Sequence, residues 1–276
     1  MKKQIVSIAA MTVCAALATS CVSGINGRQM VKASNTMADT VYEADSFNAI
    51  DVSNQARVII TTGGNCSVTA HVPDNVKDYF IVRRKGNKLI VSNRGINLDY
   101  PDKERAPILY VTMPSIAAID ASGQSEITLQ GDVAQRFETV ASDQSRVIFR
   151  NALSAGHIAL KATGQSAVEG KELTVTTAGV EAEDQGNIDM TTLRATGDVS
   201  VSTAGQSDIE FSGISSTAFV SLESDDQSQI SVGKINAATG SANAYGESDI
   251  KVKNLTGRFT AKVRGQASCS FPPSNN

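Results

Sequence analysis

The chain has 276 residues, a formal charge of −3, no tryptophan, and only 5% phenylalanine plus tyrosine. This mild acidity argues against a nucleic-acid partner, which calls for clustered Lys and Arg. Few aromatic rings are left to line a sugar-cleaving site.

The first residues read as an export signal. Lys2 and Lys3 precede an uncharged apolar stretch from Ile5 to Ala18, fourteen residues long. That is short of the roughly 20 a membrane-spanning helix needs, and it fits the apolar region of a secretory signal. Small residues then lead into Cys21, the pattern of a lipoprotein signal in which the cysteine thiol carries the lipid, although Leu17 stands one place earlier than usual. The expectation is a signal over residues 1–20, lipidation at Cys21, and anchoring to the membrane through that lipid. Without residues 1–20, 276 − 20 = 256 residues remain; with two lysines fewer, the charge is −5. Cys66 and Cys269 are then the cysteines left for the body, and a disulfide between them is chemically permitted in an oxidising compartment.

Residues 21–44 are small, polar and weakly periodic, and are expected to be a tether. Residues 45–120 open with a rung-like stretch, Phe47 to Val52. Asn54 to Ile60 matches the later run Asp143 to Ile148, so repeat units begin before residue 60. The register then breaks between Ala56 and Ser125, an interval with strand-like runs at 66–72, 79–85, 88–93 and 107–114. The Lys85-Gly86-Asn87-Lys88 turn reads as a hairpin. This N-terminal region is expected to cap one end of the body, since stacked repeats need a polar end.

Over residues 121–271 a phrase recurs. It reads Gly123-Gln124-Ser125, Asp143-Gln144-Ser145, Gly164-Gln165-Ser166, Asp184-Gln185-Gly186 and Gly205-Gln206-Ser207. It continues as Asp226-Gln227-Ser228, Gly246-Glu247-Ser248 and Gly265-Gln266-Ala267. Successive steps are 20, 21, 20, 21, 21, 20 and 19 residues. Two places past each phrase stands an apolar residue (Ile127, Val147, Val168, Ile188, Ile209, Ile230, Ile250). A second position follows two places later, apolar in all but one repeat (Leu129, Phe149, Gly170, Met190, Phe211, Val232, Val252). This period of two marks a strand with one buried face. One further apolar residue lies near each bend, from Val133 to Leu255. Such a unit cannot bury its apolar face alone but makes a continuous core when stacked. The sequence therefore predicts an all-β fold, a parallel β-helix of about 20-residue rungs, with the right-handed form favoured and an N-terminal β-strand cap or insertion. The phrase should turn a corner, Gly and Asp accepting positive φ, with Gln amides stacked along the axis. Residues 272–276 form a tail, because Pro272 cannot donate to a ladder.

The run Phe47…Ile50-Asp51-Val52, the Lys88-Leu89-Ile90-Val91 strand, and Val111-Thr112-Met113-Pro114 leading to Ile119-Asp120-Ala121-Ser122-Gly123 resemble the head GIN domain lipoproteins. These are described as autotransporter adhesins of Gram-negative gut bacteria. The resemblance covers about residues 45–268. It implies a β-helical fold with surface or envelope placement, and it brings no active-site motif.

The residues themselves point away from catalysis. Gly-x-Ser recurs at Ser125, Ser166 and Ser207, but a nucleophile elbow needs a second glycine where Ile127, Val168 and Ile209 stand. His71 and His157 have no neighbouring ligand at metal spacing, so no zinc site is expected. Asp143, Asp184 and Asp226 lie two rungs apart, about 9.6 Å by rung spacing, too far for one calcium ion to bridge. Asp189, Asp208 and Glu210 are expected to form a solvated acidic face, with a weak cation site as the lesser alternative. No catalytic residue, cofactor or metal is expected. The candidate binding face is the outward row Glu126, Arg146, Asn187, Asp208, Gln229 and Asp249. The functional expectation is an outer-membrane lipoprotein, at the cell surface or on the periplasmic face, that binds a protein or glycan. An envelope scaffold or stress-related lipoprotein is the alternative, and a polysaccharide-processing β-helix enzyme ranks last.

Overall fold

The computed structural model describes residues 30–100 and 106–272; the signal segment and Cys21 lie outside the described residues. The chain enters as β1 (Met30–Lys32) and β2 (Met37–Tyr42), then makes a first coil of β3 (Ala49–Val52) and β4 (Arg57–Thr62). An excursion follows through β5 (Ser67–Pro73), one 3-10 turn (Lys77–Tyr79), β6 (Phe80–Lys85), β7 (Lys88–Asn93), β8 (Asn97–Asp99) and β9 (Ile108–Met113). Coil then follows coil through β10 (Ile116–Ala121), β11 (Glu126–Gln130), β12 (Val133–Ala141), β13 (Arg146–Phe149), β14 (Leu153–Ala162) and β15 (Ala167–Ala182). The stack ends with β16 (Asn187–Ala195), β17 (Val199–Thr203), β18 (Asp208–Ser224), β19 (Gln229–Ala244), β20 (Asp249–Val263) and β21 (Ser268–Ser270). Among the described residues, no helix is long and apolar enough to cross a membrane.

Every pairing from β10 to β21 is parallel, one coil on the next, so the predicted β-helix is what the chain forms. Register is kept along the first side of each coil: Ile127 pairs with Val147, Val147 with Val168, Val168 with Ile188, and Ile188 with Ile209. All five are at most 1% exposed. Each such side chain, fully buried, contributes about 1.5–3 kcal/mol relative to an exposed one. On the second side Leu173, Leu193, Ile214 and Ile235 stack in the same way. On the third side Ile119, Thr139, Leu160, Val180, Val201 and Leu222 do so. Gly170 breaks the apolar row on the first side for a steric reason. A Cβ there would lie 2.7 Å from Met190 Cε and 3.1 Å from Phe149 Cδ2, so the neighbouring side chains already occupy its space.

The N-terminal part departs from expectation in two ways. First, the stack takes in not only the repeat units expected before residue 60 but also β7 and β9. β10 lies parallel on β3, and β11 on β4, so Glu126 pairs with Arg57 across 69 residues of sequence. β7 and β9 add another parallel rung on the opposite edges of β3 and β4. Antiparallel pairing joins strands outside this rung to it: β6 on β7, through the expected Lys85–Lys88 turn, and β5 on β9. Second, residues 30–42, expected within the tether, form strands. β2 pairs antiparallel with β5, setting Asp39 opposite His71, and β1 pairs with β8. These strands hide in the sequence because they are outer strands with few buried apolar positions; Val41 is 76% exposed. They close the first end of the core, leaving Val68, Ala70 and Val72 fully buried.

Cys66 and Cys269 are free. Cys66 lies between β4 and β5, with its thiol toward the Phe47 carbonyl at 3.9 Å. Cys269 lies on β21 in the last coil, with its thiol toward the Ala242 carbonyl at 4.0 Å.

Candidate binding face

The corners of the stack settle what the recurrent phrase does. Its first residue has positive φ in every coil: Asn54, Gly123, Asp143, Gly164, Asp184, Gly205, Asp226, Gly246 and Gly265. Its glutamine forms a continuous chain along the axis. Gln55 Nε2 donates to Gln124 Oε1 at 3.1 Å, Gln124 to Gln144 at 2.9 Å, and Gln144 to Gln165 at 3.0 Å. The chain continues through Gln185, Gln206 and Gln227 to Glu247 Oε2 at 3.1 Å. Both ends fix its direction. The Leu98 N–H, which can only donate, meets Gln55 Oε1 at 2.7 Å, while the Glu247 carboxylate can only accept.

The serine of the phrase is structural. Ser145, Ser166, Ser207 and Ser248 are at most 2% exposed. They donate to the carbonyls of Ala121, Ala141, Ala182 and Ser224 at 2.8–3.0 Å. Ser125 is equally buried and reaches the Val52 carbonyl at 3.4 Å. A buried hydroxyl committed to a backbone acceptor is no nucleophile. The histidines are equally engaged: His71 Nδ1 lies 2.7 Å from Asp39 Oδ1, and His157 Nδ1 lies 2.9 Å from Thr177 Oγ1. Among the described residues, no three His, Cys, Asp or Glu side chains are grouped to hold a metal ion. A cleft of about 720 Å³ opens between β8 and the first corners, lined by Gln55, Asn97, Gln124 and Asp143 among others. Its glutamines are already bonded within the ladder.

What the stack does present is a face. Glu126, Arg146, Ala167, Asn187, Asp208, Gln229, Asp249 and Ser268 pair in unbroken register on the outside of the first side. With Arg57 beneath Glu126, the row runs about 40 Å at the usual strand spacing. A second outward row, two residues further on, stacks Glu169, Asp189, Glu210, Ser231 and Lys251.

The six candidate residues therefore lie in one row, but not as six equal, free groups. Arg57 reaches Glu126 at 3.3 Å, and Arg146 is held by Glu169 at 2.6 Å. The Glu169 hydrogen bond is the main reason the Arg146 guanidinium is held above its usual range. Lys251 bonds Gln229 at 2.9 Å and Asp249 at 3.3 Å, and Ser268 also donates to Asp249. The Ser268 bond, followed by Lys251, holds the Asp249 carboxyl below the usual carboxylate range. Asn187 and Asp208 are exposed, as are Asp189 and Glu210 beside them. The centre of the face is thus acidic and open, and its ends are tied by ion pairs. Sequence reasoning missed Arg57 and the pairing roles of Glu169 and Lys251. The two-residue alternation that exposes the first row also exposes the second, and would have flagged Glu169 and Lys251.

This architecture defines a β-solenoid with a long lateral surface. Residues 46–217, 172 of the 276, match the family described as "Putative auto-transporter adhesin, head GIN domain", and the chain belongs to that family. Similar crystal structures include a "putative adhesin" from Parabacteroides merdae, with TM-score 0.70 and 15% identity, covering 87% of this chain and 98% of that one. A "putative adhesin" from Parabacteroides distasonis gives TM-score 0.69 and 16% identity, covering 88% of this chain and 100% of that one. A "Putative lipid binding protein" from the same species gives TM-score 0.70 and 13% identity, covering 87% and 98%. At these identities the likeness is one of fold. No curated protein matches the chain.

Proposed function

We propose that this protein is a lipid-anchored surface or envelope module that works by binding, without catalysis, and that its ligand is a protein or glycan laid along the first side of the stack. The observation that carries the reading is the in-register row from Glu126 to Asp249, whose varied side chains repeat at one spacing over successive coils. Such a row suits an extended ligand held by many modest contacts better than a small molecule held in a pocket. The family's description as adhesins supports surface or envelope placement. The Lys2–Cys21 segment supports acylation at Cys21 and an outer-membrane anchor.

The test is protease treatment of intact and ruptured cells producing wild type or Cys21→Ala, with a labelled fatty acid supplied. Wild type should carry label and be cleaved on intact cells, and the variant should carry none. Label in the variant would defeat the anchor. Cleavage only after rupture would place the binding face inside the envelope.

A further inference from the structure

The two ends of the stack are finished differently. At the first end β2, β5 and β6 pair antiparallel and seal the core. At the other, β21 covers only Asp249–Lys251 of the last full coil. Beyond that point Leu255, Phe259, Ala261 and Val263 stand in register on Ile235, Gly240, Ala242 and Ala244, in the rows that face the core. Val263 is 44% exposed, whereas Ala242 and Ala244 beneath this coil are fully buried. The backbone of 253–263 pairs with β19 on one edge and with no strand on the other among the described residues.

The outward positions of this coil carry one sign of charge. Lys251, Lys253, Arg258, Lys262 and Arg264 lie within residues 250–272, which contain no carboxylate, in a chain of net charge −3. Lys251 is tied to Asp249; the other four are exposed and make no ion pair among the described residues. An apolar row, an unpaired strand edge and a line of cations therefore coincide on one rung.

We propose that this terminal rung is a docking edge for an acidic, β-forming segment of a partner polypeptide, which adds to β20 as the next coil. Strand addition satisfies the open edge through the backbone, and alternate side chains supply specificity. Phe271 already lies beside Phe259, ring centroids 6.4 Å apart, so apolar residues of the guest cover Ala261 and Val263, as each coil covers the one before. Its carboxylates, on the alternate positions, meet Lys253, Arg258 and Lys262. Other occupants fit less well. A second copy brings the same cations to the same edge, and such edge charges keep like strands apart. A lipid surface offers the cations a counter-charge, but its apolar interior leaves the backbone edge unsatisfied. An anionic glycan leaves the apolar row uncovered. This inference is independent of the lateral face.

The probe is a labelled peptide alternating Glu with Val and Ile, eleven residues long to match 253–263. The same peptide with Lys in place of Glu, and vesicles containing phosphatidylglycerol, serve as comparisons. Binding to the full chain is read by fluorescence anisotropy, and self-association by sedimentation. The acidic peptide should bind, and the lysine peptide should bind at least about tenfold more weakly. Arg258→Glu with Lys262→Glu should weaken the acidic peptide about tenfold at an unchanged melting temperature. Lys253→Glu keeps the test open if the double variant unfolds, and Asp208→Asn on the lateral face should have no effect. No binding of the acidic peptide, equal binding of the two peptides, indifference to charge reversal, preference for vesicles, or self-association through this end would each overturn the proposal.

Discussion

The carboxylate of Asp143 accepts the backbone N–H of Gly123, one coil below, at 3.0 Å. Asp226 does the same for Gly205 at 3.3 Å. These contacts tie two of the three corner aspartates to the glycine below. Both residues occupy positive φ, and a Cβ on Gly164 would meet the backbone of Asp143 at 3.1–3.3 Å. Glycine sits above each aspartate where space is tight, and Asp143 and Asp226 cap the amide of the glycine below.

Asp143→Ala should cost about 1–3 kcal/mol, combining left-handed strain at a non-glycine residue with a lost hydrogen bond. Asp143→Asn tolerates the same φ and keeps an acceptor oxygen, so it should stay within about 1 kcal/mol of wild type. Urea unfolding of both variants is the check, and equal losses would mean the carboxylate contact contributes nothing.

The glutamine ladder makes a directional prediction at its last bond. Glu247 accepts from Gln227, so Glu247→Gln preserves the acceptor and should be neutral within about 0.5 kcal/mol. Glu247→Lys offers only donors and should be destabilising by about 1 kcal/mol. Thermal melts of the two variants compare them directly. If lysine is tolerated as well as glutamine, the ladder has no effective polarity.

Ile209 is 1% exposed, while its neighbour Asp208 is exposed on the outer row. Ile209→Asp buries a carboxyl without a partner and should cost several kcal/mol, about 3 or more. Asp208→Asn should change stability by less than about 0.5 kcal/mol. Comparable shifts in melting temperature would place both residues on the wrong faces, because a slip of one residue inverts a strand.

The stack was legible because its phase is written repeatedly. Once Gln206 marks a corner, Ile209 and Phe211 must point inward and Asp208 and Glu210 outward, as they do. At the first end the β cap and the Lys85–Lys88 hairpin were legible; Met37–Tyr42, placed in the tether, was not, because it closes the core by antiparallel pairing on Ser67–Pro73 and repeats nothing. The gap from Ala56 to Ser125 looked like a break in register, yet Gln55 lies directly beneath Gln124; the intervening chain leaves the stack and returns. The candidate row was legible as a row. That Arg146 and Asp249 are restrained by Glu169 and Lys251 depends on side chains reaching between coils, which alternation alone does not reveal.

A distributed binding surface without a catalytic centre is tested most directly at Asn187 and Asp208, in the open middle of the face, together with the ion-paired Arg146. Asn187, Asp208 and Arg146 are changed to alanine singly and together, and adhesion of the purified protein to host matrix proteins and glycans is measured alongside product release. A distributed surface predicts graded losses, each single change weakening adhesion by about two- to tenfold and the triple variant combining them roughly additively in free energy. Release of a cleaved product by wild type, abolished outright by any one of these changes, is the behaviour of groups acting as a unit and would contradict it.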